Sequence, residues 1–457
     1  MKRLLLVFVT LVFTSCSLDN KTGIWKDASE IHVDRQNSES ITNNQTNTRY
    51  ENINTKNKIF NEEKESTNLS DIKIGEPIKI ANWFEQFAIP TNNISNFSYN
   101  NNKTLLSKST KLNKLSSSKN SFNKKIVFNQ SNLISYDHKG TIFVYSLSSN
   151  KKILEYNFYN KKFKKFNKEI NFIVSKNVLY ISDNLGYLYA LNLDNNSIIW
   201  AKNYGIPFRS NIKLTNNQIF LANQDNVIYS INSKTGTKNW QFATGLTFLK
   251  SDFENNFALD LINNNLLFLN TSGELYSIDF VTQKVNWVLN FKNPSLDADT
   301  ELFLSQPIII KDNNFIITTE KTILSYNSLT GARNWRLSSE PIFKPIITKN
   351  FVYALLKNNL LICLDNISGD VIWSKNILKD IDKKKVINKF RSVADFKIIN
   401  SKINIYSKNG YLLSFNPNDG KLNSLSKVSK NGINSEIFFL NDNMLFLGNN
   451  NKMYKFD

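Results

Sequence analysis

The sequence predicts an all-β fold: an eight-bladed β-propeller of four-stranded antiparallel blades, the last blade closed by an N-terminal strand. Three observations carry this. Tryptophans recur in one register, a unit repeats every 38 to 51 residues, and apolar and polar side chains alternate with period two inside each unit. The segment 271–287, "TSGELYSIDFVTQKVNW", holds the whole pattern: a glycine turn, a strand, a polar turn, and a strand carrying Trp287. Trp287 stands fourteen residues after Gly273, and the same offset joins Gly186 to Trp200, Asn226 to Trp240, Lys321 to Trp335 and Asn359 to Trp373. Five of the seven tryptophans therefore share one register, which chance would not arrange.

The N-terminus comes first in the chain. Lys2 and Arg3 precede an apolar run, Leu4 to Phe13, that is too short to span a bilayer. Thr14 and Ser15 then precede Cys16. This reads as a lipoprotein signal peptide over residues 1–15, with Cys16 acylated as the new N-terminus; an ordinary signal peptide is the rival. Ser17 rather than Asp after the cysteine points to the outer membrane, at its periplasmic face. Residues 16–70 are rich in Asn, Thr, Ser, Glu and Lys without a period, the composition of a disordered polar tether. The run "EPIKIANWFEQF" with Trp83 reads as a strand, and 101–125 as a long loop before the first full repeat.

The propeller is expected over 71–457. Weaker copies of the unit start at Gly140 and Gly410 and end on Leu154 and Ser424. An eighth copy starts at Asn450, but the chain stops at Asp457, before its last strand. The strand holding Trp83 is expected to complete it, which joins the ends of the ring and removes open edges. Seven blades plus an unrelated N-terminal strand is the rival count. In either case Trp83, Trp200, Trp240, Trp287, Trp335 and Trp373 are read as structural.

Composition limits the function. The formal charge is +19, yet the lysines are scattered among asparagines, so solvated surface is the simpler reading than nucleic-acid binding. Cys363 lies among alternating apolar residues, as a small core residue does, and no disulfide partner remains for it once Cys16 is lipidated. The two histidines, His32 and His138, accompany no metal-binding or nucleophile motif. "DADTE", 297–301, lacks the ligand spacing of an EF-hand. No catalytic residue, metal or cofactor is expected.

The repeat register resembles that of the PQQ-like (quinoprotein-like) propeller superfamily. "TSGELYSID" and the run 329–365 beginning "LTGARNW" look like blades of its BamB branch, the lipid-anchored scaffolds of outer-membrane protein assembly. The resemblance implies a non-enzymatic protein, a monomer within a complex, that binds the periplasmic domains of a BamA-like barrel insertase through loops on adjacent blades. Carried over by position, Leu249 and Lys250 would supply the apolar and basic contacts, and Asp297 and Asp299 the acidic ones. The same superfamily includes quinone- and calcium-dependent dehydrogenases, so a periplasmic enzyme of that kind is the alternative, together with a polysaccharide-binding propeller. The adjacent cysteine pair of the best-known dehydrogenases is absent.

Overall fold

Each repeat unit folds into four short strands that pair antiparallel in chain order, as period-two patterning and tight polar turns dictate. The computed structural model describes residues 16–19, 24–27, 48–51, 58–66, 72–114, 122–159, 163–245, 256–291, 303–381 and 384–457. Eight four-stranded units form a ring. Blades 1 to 7 occupy 127–157, 170–203, 213–243, 257–290, 309–338, 346–376 and 393–427. Blade 8 takes Phe438–Leu440, Asn443–Leu447 and Met453–Phe456 from the C-terminal end. No helix among the described residues is long and apolar enough to cross a membrane.

Asparagine and aspartate side chains preform the turns. Eight residues before each register tryptophan stands Asn192, Asn232, Asp279, Asn327 or Asp365. In every case its side-chain oxygen accepts the backbone N–H groups two and three residues on, which preforms the turn between the third and fourth strands. In the turn between the second and third strands, Asp137, Asp183, Asn223 and Asn270 accept the N–H groups two and four residues on.

The tryptophans lock blade to blade. Trp200, Trp287, Trp335 and Trp373 each donate the indole N–H to a backbone carbonyl in the next blade's turn, at 2.9 to 3.1 Å. Each ring also covers a glycine of that turn. A Cβ at Gly331 would lie 2.8 Å from the Trp287 ring, and one at Gly369 2.5 Å from Trp335, with φ at +67° and +77°. Glycine is required there twice over, by backbone and by space. Trp240 differs: the next blade's turn has no glycine, and Phe280 of that turn joins Trp240 and Phe220 in one apolar cluster. Cys363 is fully buried in the core between blades 6 and 7, where burial pushes its thiol up to about 12.

An N-terminal strand does close blade 8, but a different one from that expected. Leu105–Lys108, read from sequence as loop, pairs antiparallel with Met453–Phe456 through Tyr454, Lys455 and Phe456. Trp83 is in no outer strand. It lies in an inner hoop, residues 78–100, that makes one circuit of the ring's axis. In chain order Ile80 bonds blade 8, Trp83 blade 1, Phe84 blade 2, Glu85 blade 3, Pro90 blade 4, Thr91 blade 5, Asn93 blade 6 and Phe97 blade 7. The hoop closes on itself where Ile78 pairs with Phe97. Trp83 stacks on Phe97 with centroids 5.9 Å apart and meets Phe438 edge-on at 5.2 Å. Trp83 therefore belongs to the centre of the molecule, and its resemblance to a blade tryptophan is one of residue type only.

The segment expected to be a tether also departs in part. Thr48–Tyr50 pairs in parallel with the outer strand of blade 4, and 58–66 runs along the outer edges of blades 5 and 6.

Trp373→Ala, which empties a fully buried site, is expected to lower the unfolding free energy by about 3–5 kcal/mol, read from chemical denaturation. Gly369→Ala is expected to cost about 1 kcal/mol or more through φ strain and contact with Trp335, and the double change with Trp335→Ala should be less than additive.

Candidate functional site

Two features of one face of the ring offer binding chemistry: the crossings between blades 3, 4 and 5, and the funnel at the axis. In every blade the outer strand ends, and the next inner strand begins, on this face. Residues 246–255 join blade 3 to blade 4, and 292–302 join blade 4 to blade 5. Leu249, Lys250, Asp297 and Asp299 all lie in these two connections, outside the described residues. Cys16 is placed only through its backbone, which pairs in Cys16–Asp19 with Ile24–Asp27.

What the structure does describe is the base from which both connections spring. The turn 270–274 of blade 4 bonds to Thr244, which precedes the first connection, and to Phe303, which follows the second. Asn226 reaches from blade 3, donating from Nδ2 to the Gly245 carbonyl at 3.2 Å and to the Thr271 hydroxyl at 3.0 Å. Asn270 donates to the Thr244 hydroxyl at 3.2 Å and to Glu274 Oε2 at 2.9 Å. On the other side Phe303 donates its backbone N–H to the Thr271 carbonyl at 3.0 Å, and its ring stacks on Phe291 at 5.6 Å. Asn226, Asn270 and Thr271 are buried. Their hydrogen bonds, with that of Phe303, join Thr244 and Gly245 at the end of blade 3 to the turn of blade 4 and to the segment entering blade 5. Asn226 was legible in the sequence only as a repeat anchor; its link to Thr271, 45 residues on, has no local signal.

The funnel holds a chamber of about 410 Å³, lined by Trp83, Phe87, Phe343, Lys344, Lys397 and Glu436 among others. Its floor is the hoop, and its walls are the starts of inner strands. Lys397 pairs with Asp395 at 2.7 Å and faces Glu436 at 3.8 Å, with its ammonium 5.9 Å above Trp83. Lys344 donates to the Asn92 carbonyl at 2.8 Å and lies 5.5 Å from the Phe87 ring centre. Burial pushes the Glu436 carboxyl up to about 7, against the pull of Lys397. It pushes the Lys344 ammonium down to about 8, with Lys397 acting in the same direction. Deeper still, Lys213 of blade 3 is buried against Glu85 and donates to Asn92 Oδ1 at 2.6 Å. Burial lowers its affinity for the proton, and Glu85 opposes this.

Such a lining can hold charge. The hoop fills the axis with Trp83, Glu85 and Asn92, all buried. Among the described residues no group of three or more His, Cys, Asp or Glu side chains is placed to hold a metal.

With the geometry in place, the chain can be compared with known proteins. A family model described as outer membrane protein assembly factor BamB matches residues 160–375, which spans blades 2 to 6 and both connections. The outer membrane protein assembly factor BamB of Legionella pneumophila (strain Paris) is 36% identical over 69 residues, 15% of this chain. That match spans 17% of the relative's own length. Among solved structures, BamB from Moraxella catarrhalis aligns with a TM-score of 0.57 at 14% identity, over 78% of this chain and 99% of its own. The quinohemoprotein alcohol dehydrogenase ADHIIG from Pseudomonas putida HK5 aligns at 0.56 and 8% identity, over 83% and 80%. At such identities the structures share the fold alone. The chain is an eight-bladed propeller, and its residues 160–375 are similar to the BamB family.

Two predictions follow from the buried charges. Glu436 has a folded pKa above its unfolded value of 4.5, so its contribution to stability is complete below that pH and lost as pH rises through about 7. Glu436→Gln should flatten this part of the curve of urea midpoint against pH. Lys213→Met, which strands the Glu85 carboxylate, is expected to cost about 3–5 kcal/mol. Adding Glu85→Gln should restore part of that loss in the same denaturation assay.

Proposed function

We propose that this BamB-like propeller is a non-enzymatic scaffold in outer-membrane β-barrel assembly, lipid-anchored through Cys16 at the periplasmic face of the outer membrane. In this reading residues 1–15 are the signal peptide, the remainder of 16–70 links the anchor to the ring, and 71–457 is the propeller. The protein works by binding, as a monomer within a complex, to the periplasmic domains of a BamA-like barrel insertase. The observation that carries the reading is the shared base at Asn226, Asn270 and Thr271. It ties together described residues that flank 246–255 and 292–302, and both segments lie within the stretch that matches the BamB family.

The chemistry of the contact is mixed. Leu249 offers apolar area and Lys250 a point charge without the planar fork of arginine, so it binds carboxylates with less geometric demand. Asp297 and Asp299 offer two carboxylates one residue apart, suited to a basic patch. A lipid anchor confines the ring to the membrane surface and raises its effective concentration there. The rigid ring then has only to present the two connections.

Affinity purification of the full-length, membrane-anchored protein is expected to recover a barrel insertase. Asp297→Lys with Asp299→Lys should lower that recovery about tenfold, the scale of a lost charge pair at an interface, and leave the melting temperature unchanged. Quinone- and calcium-dependent dye reduction by the purified protein, or recovery of cell-wall polysaccharide in place of the insertase, would overturn the proposal.

A further inference from the structure

The outer strand of a propeller blade has one unpaired edge, and three consecutive blades here have that edge covered by the chain's own N-terminal segment. On blade 4, Thr48–Tyr50 pairs with Val288, Leu289 and Asn290. On blade 5, the Phe60 N–H donates to the Ser338 carbonyl at 2.8 Å. On blade 6, Lys64 and Ser374 exchange both backbone hydrogen bonds, at 3.0 and 2.9 Å, and the Ser374 hydroxyl donates to the Glu62 carbonyl at 2.6 Å.

Side chains add charge to this main-chain pairing. Glu51 pairs with Arg333 of blade 5 at 2.5 Å. Glu63 pairs with Lys379 at 2.7 Å and accepts the Asn376 N–H at 2.9 Å, and Glu65 pairs with Lys375. The edge is basic and the strap on it is acidic. Yet the strap is held lightly over blades 5 and 6: Lys58 and residues 61–65 are exposed, and Phe60 is only half-buried. Exposed ion pairs contribute about 0–1 kcal/mol each and weaken with salt. Phe60 packs against the apolar cluster around Trp335 and Leu360, and the rest of this recognition is main-chain pairing and charge. Any extended segment with carboxylates at alternate positions satisfies the same edge.

We infer that the rim of blades 5 and 6 is a docking edge for an extended acidic segment of a partner protein, and that residues 58–66 are its exchangeable occupant in cis. This surface is separate from the two connections assigned to the insertase, so it stands whether or not that assignment does.

The test uses the full chain and a fluorescein-labelled peptide with the sequence of residues 58–66. In fluorescence anisotropy at low salt, a variant carrying Glu62→Lys, Glu63→Lys and Glu65→Lys should bind the peptide about tenfold more tightly than the wild type, since the cis competitor is repelled. Adding Lys375→Glu and Lys379→Glu should abolish binding, and raising the salt from about 50 to about 300 mM should weaken it several-fold. Hydrogen exchange at the Ser374 and Asn376 amides reports the strap directly, and both should exchange faster in the triple variant. Unchanged exchange at these amides would show that the strap is not an exchangeable occupant, and overturn the proposal. Faster exchange without peptide binding would overturn the docking edge. A dimer of the triple variant that excess peptide fails to dissociate would give the edge to a second copy of the chain, and overturn the acidic partner.

Discussion

The inner strands of a ring of sheets face the axis with unpaired backbone, and what satisfies those groups decides whether the centre is a channel or a core. Here residues 78–100 make a circuit that meets blades 8, 1, 2, 3, 4, 5, 6 and 7 in turn, then pairs with its own start. Asn92 and Asn93 extend the backbone's reach, bonding the carbonyls of Phe257, Ile308 and Ile347 at 2.9 to 3.0 Å. A buried amide left without a partner costs about 1–3 kcal/mol, so the hoop replaces eight separate liabilities by one continuous strip. It also makes every blade dependent on one segment. The aromatic cluster of Trp83, Phe97, Phe438 and Phe439 fills the space between hoop and ring near the seam.

The rim presents the same problem at larger radius, and segments that precede the hoop in the chain address it there. Thr48–Tyr50 and 58–66 lie on blades 4 to 6, the hoop circles the axis, and Leu105–Lys108 completes blade 8 before blade 1 begins. One stretch of chain thus engages the ring from outside, from within, and at its seam. The repeat itself contributes blade-to-blade contacts through the tryptophans and the turn glycines they cover. Buried charges add further ties between these parts. Lys213 and Glu85 join hoop to blade 3, while Lys397, Asp395 and Glu436 tie blade 7 to the connection entering blade 8.

Against this rigid background, the candidate binding segments 246–255 and 292–302 are departures from the repeat. Other crossings, such as 204–212, are short, and these two are among the longer ones. Sequence reading picked them out because they interrupt the period and because their residues match positions in a known family. It could not show what unites them. The turn 270–274 that holds their bases together reads, in sequence, as an ordinary glycine turn, and its contacts to Thr244, Gly245 and Phe303 cross between repeats.

The sequence by itself determined the blade: its four strands, its two turns, and the tryptophan that meets the next unit. These rest on interactions repeated at fixed spacing, so each copy reinforces the signal, and even the turn-forming Asn or Asp eight residues before each tryptophan is visible once sought. Only the tertiary structure decided how 48–50, 58–66, 78–100 and 105–108 are used. Trp83 carries the residue type of a blade tryptophan but none of its neighbours, and "KTLLSK" carries no mark of a closing strand. The hoop, the seam and the rim strap each occur once and join residues that are far apart in the chain. Their backbone hydrogen bonds accept almost any side chain, so composition leaves no trace of them, and geometry alone settles which segment fills which edge.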